Sequence, residues 1–147
     1  MDSSQDEFYM RMALAEAARA AARDEVPVGA VIVAGTTVIA RAHNLTETLN
    51  DPTAHAEMQA ITAATASLGG KYLTGCTIYV TVEPGVMCAG ALAWSQISEI
   101  VYGAPDEKKG YTTIGSQILH PKTVVRSGPM AAECSELIKA FFRKKRD

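Results

Sequence analysis

Apolar positions recur along the chain with two periods, three to four apart in some stretches and alternating in others, and the changeovers mark out its elements. From about Asp6 to Arg23, Phe8, Met12, Ala15, Ala18 and Ala22 form a helical stripe, with acids at its start and Arg23 at its end, where the helix dipole favours them. Such a stripe predicts a helix lying on one face of a sheet. Val28 to Ala34 and Thr37 to His43 are strand-like and joined by a short link containing Gly35, which predicts an antiparallel hairpin. A polar loop, Asn44 to Asp51, leads to a second helix from about Thr53 to Ser67. For its first turn Asp51-Pro52-Thr53 supplies a capping side chain and a proline whose missing N–H costs nothing there, and Gly69-Gly70 stops it.

The run Cys76 to Val82 reads as a third strand, ending at Glu83-Pro84. An Ala-rich helix from about Cys88 to Gln96 and a fourth strand, Glu99 to Tyr102, follow it. Strand, helix and strand in succession make a right-handed crossover, so these two strands are expected to be parallel. Pro105 to His120 is a connection with room for one short helix, and Thr123 to Arg126 is a short fifth strand. Gly128-Pro129 then sets up a last helix, Met130 to about Arg146. The 147 residues suit a single domain, 1–147, able to bury about two-thirds of its unfolded surface.

Two predicted helix starts carry chemistry. Thr53-Ala54-His55-Ala56-Glu57 offers an imidazole and a carboxylate, and Glu83-Pro84-Gly85-Val86-Met87-Cys88 offers a sulfur that a helix N-terminus helps to ionise. His55 and Glu57 lie about 200° apart around a helix, so both reach one centre only if the helix points at it end-on. H-x-E followed by P-C-x-x-C is the signature of zinc nucleobase deaminases, and here Gly85 stands where the first cysteine belongs. Cys76 cannot replace it, since nine extended residues separate the two positions by roughly 30 Å. Cys76 and Cys134 are assigned to packing, and Met10, Met12, Met58, Met87 and Met130 to the core. Trp94 is assigned to the core or to a subunit contact. Taken singly, each site residue has an ordinary alternative: a hydrogen-bonded histidine, an acid balancing a helix dipole, a small buried cysteine.

The segments Glu25-Val26-Pro27-Val28-Gly29-Ala30-Val31-Ile32-Val33, Asn44, Asp51 to Glu57, Tyr79 to Pro84, Val86 to Ala91, Tyr102-Gly103-Ala104, and Glu133-Cys134 leading into Phe141-Phe142-Arg143 occur in one order over nearly the whole chain. In them the chain resembles the cytidine and deoxycytidylate deaminase superfamily, and within it the bacterial tRNA-specific adenosine deaminases. The resemblance implies an α/β fold of three layers, α/β/α, with a mixed five-stranded sheet in the order 2-1-3-4-5 between helices. It implies a Zn2+ cofactor on His55 and Cys88, with the third family ligand position occupied by Gly85, and Glu57 as the proton shuttle between the attacking water and the leaving amine. The reaction would be hydrolytic deamination of an extruded adenine, the wobble adenosine of a tRNA anticodon loop. Asn44 and Ala56 would hold the nucleoside, and Asp106 would lie near the ribose of a flanking nucleotide, where it could sense a 2′-OH. Phe142 and Arg143, in the run Phe141 to Arg146, would meet a base and phosphates, with Lys108 and Lys109 adding charge. A homodimer bordering each active site is also implied.

Net charge −2 and a pI near 5.9 give no global attraction to nucleic acid, so RNA binding has to come from such a local patch. Three cysteines without framework spacing suit a reducing, cytoplasmic setting. The acidic opening Asp2-Ser3-Ser4-Gln5-Asp6-Glu7 is unlike a signal peptide, and the longest apolar run, Val26 to Ala34, is far short of the roughly 18 residues of a membrane span. Two rivals share the pattern: a deaminase of a free base or nucleoside such as guanine or cytosine, and a metal-free RNA-binding relative. Gly85 favours impaired catalysis, because catalytic zinc normally keeps three protein ligands.

Overall fold

Five strands form one mixed sheet in the order β2-β1-β3-β4-β5. The computed structural model describes residues 3–146; Met1, Asp2 and Asp147, the ends of the expected 1–147 domain, lie outside them. The elements run α1 (Ser3–Ala22), β1 (Gly29–Ala34), β2 (Thr37–His43), α2 (Ala56–Leu68), β3 (Cys76–Val82), α3 (Val86–Ser95), β4 (Glu99–Ala104), β5 (Val124–Ser127) and α4 (Ala131–Arg146). β1 is antiparallel to both β2 and β3; β3 and β4 are parallel, as the crossover argument requires, and β5 runs parallel to β4. The connection expected to hold one short helix holds two single 3-10 turns, Tyr111–Thr113 and Ser116–Ile118.

Alternation along the strands feeds two cores. Ala30, Ile32, Ile78, Val80, Ile100 and Tyr102 face α2 and α3, whose small residues Ala56, Ala60, Ala64 and Ala89 let the helices sit close to the sheet. Val31, Val33, Tyr79 and Val101 face the other way, onto Tyr9, Met10 and Ala13 of α1 and Cys134 of α4. The predicted stripe of α1 is corrected by this packing. Phe8, Ala15, Ala18 and Ala22 are exposed and Met12 only half-buried, while Tyr9, Met10, Ala13, Ala17 and Ala20 are buried. Alanines occupy both faces of this helix, so periodicity could not choose between them. The choice is made by two acids on the buried face. Asp6 pairs with Arg126 of β5, and Glu16 accepts from His43 Nδ1 (3.0 Å) and Arg41 Nε (3.1 Å) at the end of β2.

Trp94 is 85% exposed, so it is not a core residue. Met10 is fully buried, Met12, Met58 and Met130 partly, and Met87 is exposed at the start of α3. Cys76 and Cys134 are free, buried thiols, as packing roles require.

α1 crosses β1 at Gly29, where a Cβ would lie 1.9 Å from the Ala13 carbonyl oxygen and 2.5 Å from Ala17 N. Gly29→Ala is therefore expected to push the helix off the sheet and destabilise the chain by about 3 kcal/mol, at the upper end for overpacking because the obstacle is backbone. Urea unfolding of the two proteins measures it; a difference below about 1 kcal/mol would show that α1 yields without cost.

Candidate active site

The sheet topology brings four chain segments to one edge. Because β1 runs against its neighbours, its first residue lies beside the last residues of β2 and β3 (Gly29 opposite His43, Ala30 opposite Val80), and Val82 pairs with Ala104 at the end of β4. The loops that follow β2, β3 and β4, together with Val26 and Val28 ahead of β1, enclose a cavity of about 610 Å3. It is lined by Val26, Val28, Asn44, Thr46, His55, Ala56, Glu57, Val82, Glu83, Gly85, Val86, Met87, Asp106, Lys108, Lys109, Thr113 and Ile114. A site at the carboxyl ends of strands is the general rule for open α/β sheets.

α2 and α3 both begin at this cavity. The expected start of α2 at Thr53 is corrected: Asp51 Oδ1 accepts from the Thr53 N–H (2.9 Å) and hydroxyl (2.8 Å), which makes a turn ahead of the helix, and His55 takes the N-cap position. His55 has extended backbone there and an exposed side chain, and Glu57, two residues on, points inward and is buried. The end-on geometry that the H-x-E spacing demands is thus realised. α3 starts two residues earlier than expected, with Gly85 as its N-cap and Cys88 buried in the first turn.

A nitrogen of His55, a carboxylate oxygen of Glu57 and the sulfur of Cys88 all lie within 4.8 Å of one another. Burial pushes the Glu57 carboxyl above the usual carboxylate range, although its own N–H at the helix start and the neighbouring His55 and Cys88 pull the other way. Burial likewise pushes the Cys88 thiol far up, and the adjacent Glu57 carboxylate adds to this; the Met58 N–H aimed at the sulfur opposes it. The helix start alone therefore does not ionise Cys88. A divalent cation among these donors would, since a coordinating thiol is deprotonated outright, and an imidazole, a thiolate and a carboxylate are the donor types zinc takes. The residues present fit zinc, with one donor fewer than the family motif supplies.

Gly85 has φ −76° and ψ −179°, extended backbone that any residue adopts, and a Cβ there would touch only the Lys109 carbonyl oxygen, at 3.5 Å. Neither backbone strain nor crowding demands glycine at this position.

Two buried carboxylates to which the sequence pattern assigns no role shape the walls. Glu83 Oε1 accepts from the Asp106 N–H (3.1 Å), and Oε2 from the Thr112 N–H (3.1 Å) and hydroxyl (2.7 Å). A Cβ at Gly110 would fall 2.0 Å from Glu83 Oε2, so glycine is required for the loop to close over the acid. Glu25 likewise ties down the loop after β2, accepting from the Glu47 N–H (3.1 Å) and from the Thr48 N–H and hydroxyl (both 2.6 Å). Glutamates set into apolar runs beside prolines, in Glu25-Val26-Pro27 and Val82-Glu83-Pro84, were the available signal for both.

Asn44, Ala56 and Asp106 line the same cavity as His55 and Glu57. Asp106 Oδ1 accepts from the Lys108 and Lys109 N–H groups, at 3.2 and 3.0 Å. Phe142 lies in an adjoining cavity of about 660 Å3, with Arg23, Thr48, Phe141 and Lys145, which meets the first at Val26 and Thr46. Arg143 is directed to Glu136 Oε1 at 2.6 Å on exposed α4.

The fold is that of the nucleobase deaminases, and the imidazole, carboxyl and thiol gathered at two helix starts are of the donor types that the zinc site of that class uses. The chain belongs to the cytidine and deoxycytidylate deaminase family, whose zinc-binding region matches residues 3–104. It is similar to the tRNA-specific adenosine deaminase of Aquifex aeolicus, 43% identical over 146 residues and 96% of each chain. With that of Bacillus subtilis it is 45% identical over 97% of this chain and 92% of the relative. Among solved structures it superposes with one from a study of A-to-I editing by tRNA:A34 deaminases at the wobble position of transfer RNA, at TM-score 0.82 and 42% identity, over 88% of this chain and 98% of the other. The guanine deaminase of Bacillus subtilis matches less well, at TM-score 0.66 and 39% identity over 67% of this chain and 64% of the other. No described helix is long and apolar enough to cross a membrane.

Proposed function

We propose that the chain is a single deaminase domain, 1–147, that hydrolyses the wobble adenosine of a tRNA anticodon loop to inosine, and that Gly85 impairs it. The observation that carries the reading is the placing of His55, Glu57 and Cys88 within 4.8 Å of one another at two helix starts. Identity above 40% with tRNA-specific adenosine deaminases over nearly the whole length supports the substrate. His55 and Cys88 would hold zinc, which when bound acidifies water to supply a nucleophile at neutral pH. Glu57, buried with its carboxyl raised, is suited to taking a proton from the water and delivering it to the departing amine. Asn44 and Ala56 would orient the base and Asp106 a ribose hydroxyl. A cytoplasmic homodimer fits this reading, and exposed Val86 and Met87 at the start of α3 leave apolar surface for a second copy beside the cavity.

The test supplies zinc to the chain and to its Gly85→Cys form, with an anticodon stem-loop RNA carrying a wobble adenosine, free guanine, or cytidine as substrate. Inosine in the RNA and no turnover of guanine or cytidine is the expected result. Turnover of guanine or cytidine with the RNA untouched would give the rival reading the site.

The adjoining cavity and the basic end of α4 form the proposed RNA patch. Deleting residues 143–146 removes exposed charges and two surface ion pairs, Arg143 to Glu136 and Lys145 to Asp24, both at 2.6 Å, so the fold should survive. Stem-loop affinity should fall several-fold, and the salt slope should shrink by about one unit for each phosphate that is no longer neutralised. Unchanged affinity and slope would rule the patch out.

A further inference from the structure

We propose that in this chain the Glu57 carboxylate is itself the third protein ligand of the metal, making a His55, Cys88 and Glu57 site in which the proton-transferring group is tied up. The proposal rests on the zinc-deaminase reading and adds to it what becomes of the site when position 85 brings no thiolate.

Three donors are already gathered. The His55 nitrogen, Cys88 sulfur and Glu57 oxygen lie within 4.8 Å of one another. Ligands of a tetrahedral zinc, at about 2.0 to 2.3 Å from the metal, stand roughly 3.3 to 3.8 Å apart. The donors here need to close by little more than about an ångström, within reach of side-chain rotation. Charge favours the same outcome. One thiolate and a neutral imidazole leave a net positive charge in a site whose Glu57 and Cys88 are both buried, and a bound carboxylate cancels it. A thiolate from position 85 would do this instead, leaving Glu57 beside the metal and free to move protons. The 3.5 Å clearance at Gly85 allows that residue to be tested without crowding.

The experiment is a two-by-two comparison: the unsubstituted chain, Glu57→Gln, Gly85→Cys, and the double variant. Zinc affinity is read by competition with a chelating dye, and Co2+ absorption is read as a second signal. Loss of a ligand should weaken zinc by roughly 100-fold or more when Glu57→Gln is made in the unsubstituted chain, but less than about 10-fold when it is made on Gly85→Cys, where the carboxylate lies outside the ligand set. The Co2+ bands should move with Glu57→Gln only in the first pair. Glu57→Asp, which keeps the charge but shortens the reach, should follow the same pattern. An equal loss in both backgrounds overturns the proposal, and so does an unsubstituted chain that takes up no zinc at micromolar concentration. Because the readout is metal binding alone, a Gly85→Cys protein that binds zinc tightly but leaves wobble adenosine untouched would overturn the function reading and leave this one standing.

Discussion

Gly85→Cys is expected to free Glu57 from the metal, to bring up wobble-adenosine deamination and to raise zinc affinity by at most two to three powers of ten, the worth of one thiolate less that of the carboxylate it displaces. Zinc sites with four protein ligands bind with about 10 to 16 kcal/mol, so one thiolate is worth roughly 3 to 4 kcal/mol. The unsubstituted chain should therefore be isolated folded but substoichiometric in zinc and poorly active. Folding is not expected to depend on the metal, because the core between α2, α3 and the sheet holds both helices in place through Ala60, Ala64, Leu92 and the strands beneath them. The cysteine enters at an extended N-cap with only the Lys109 carbonyl oxygen nearby, so its own conformational cost is small. Metal analysis and an inosine assay on both proteins measure the effect. Full zinc and full activity in the unsubstituted chain would show that position 85 is not a ligand position. A Gly85→Cys protein with unchanged zinc affinity, in which Glu57→Gln still costs as much as in the unsubstituted chain, would remove position 85 from the metal site.

The second large effect is on turnover. Once Gly85→Cys has put a thiolate in the place of the Glu57 carboxylate, Glu57→Gln should lower kcat by about 10² to 10⁴, the range of a positioned general acid and base. Stem-loop affinity should stay within about twofold, since Glu57 is buried at the floor of the cavity while the proposed phosphate contacts lie on α4 and the Lys108-Lys109 turn. The amide is isosteric and still fills the space beside Cys88, so loss of activity without loss of fold is the expected combination. Single-turnover kinetics with the RNA in excess of its Kd separates the two quantities. A Glu57→Gln protein that deaminates at more than about a tenth of the parent rate would exclude Glu57 from proton transfer.

The main elements, the antiparallel β1–β2 and parallel β3–β4 pairings and the donor types were legible from residue order. Strands rich in β-branched residues, glycines at the turns and the strand-helix-strand spacing all report local backbone preference, and these preferences agree with the tertiary fold. H-x-E and the later cysteine stand out for a related reason: a helix approached end-on is the one arrangement in which residues two apart serve one centre, so spacing alone carried that geometry.

Long-range packing settled what local patterning could not. In α1, alanines on every side left the buried face open until Asp6 found Arg126 and Glu16 found His43 and Arg41 across the sheet. At the start of α2, Asp51 and Thr53 had the chemistry of a cap but closed a turn instead, leaving the N-cap to His55. The roles of Glu25 and Glu83 depend on backbone N–H groups 22 to 29 residues away, which no sequence window contains. Only the folded chain shows that Glu57 and His55 lie within 4.8 Å of Cys88, because the two helix starts that carry them meet through the order of the strands behind them.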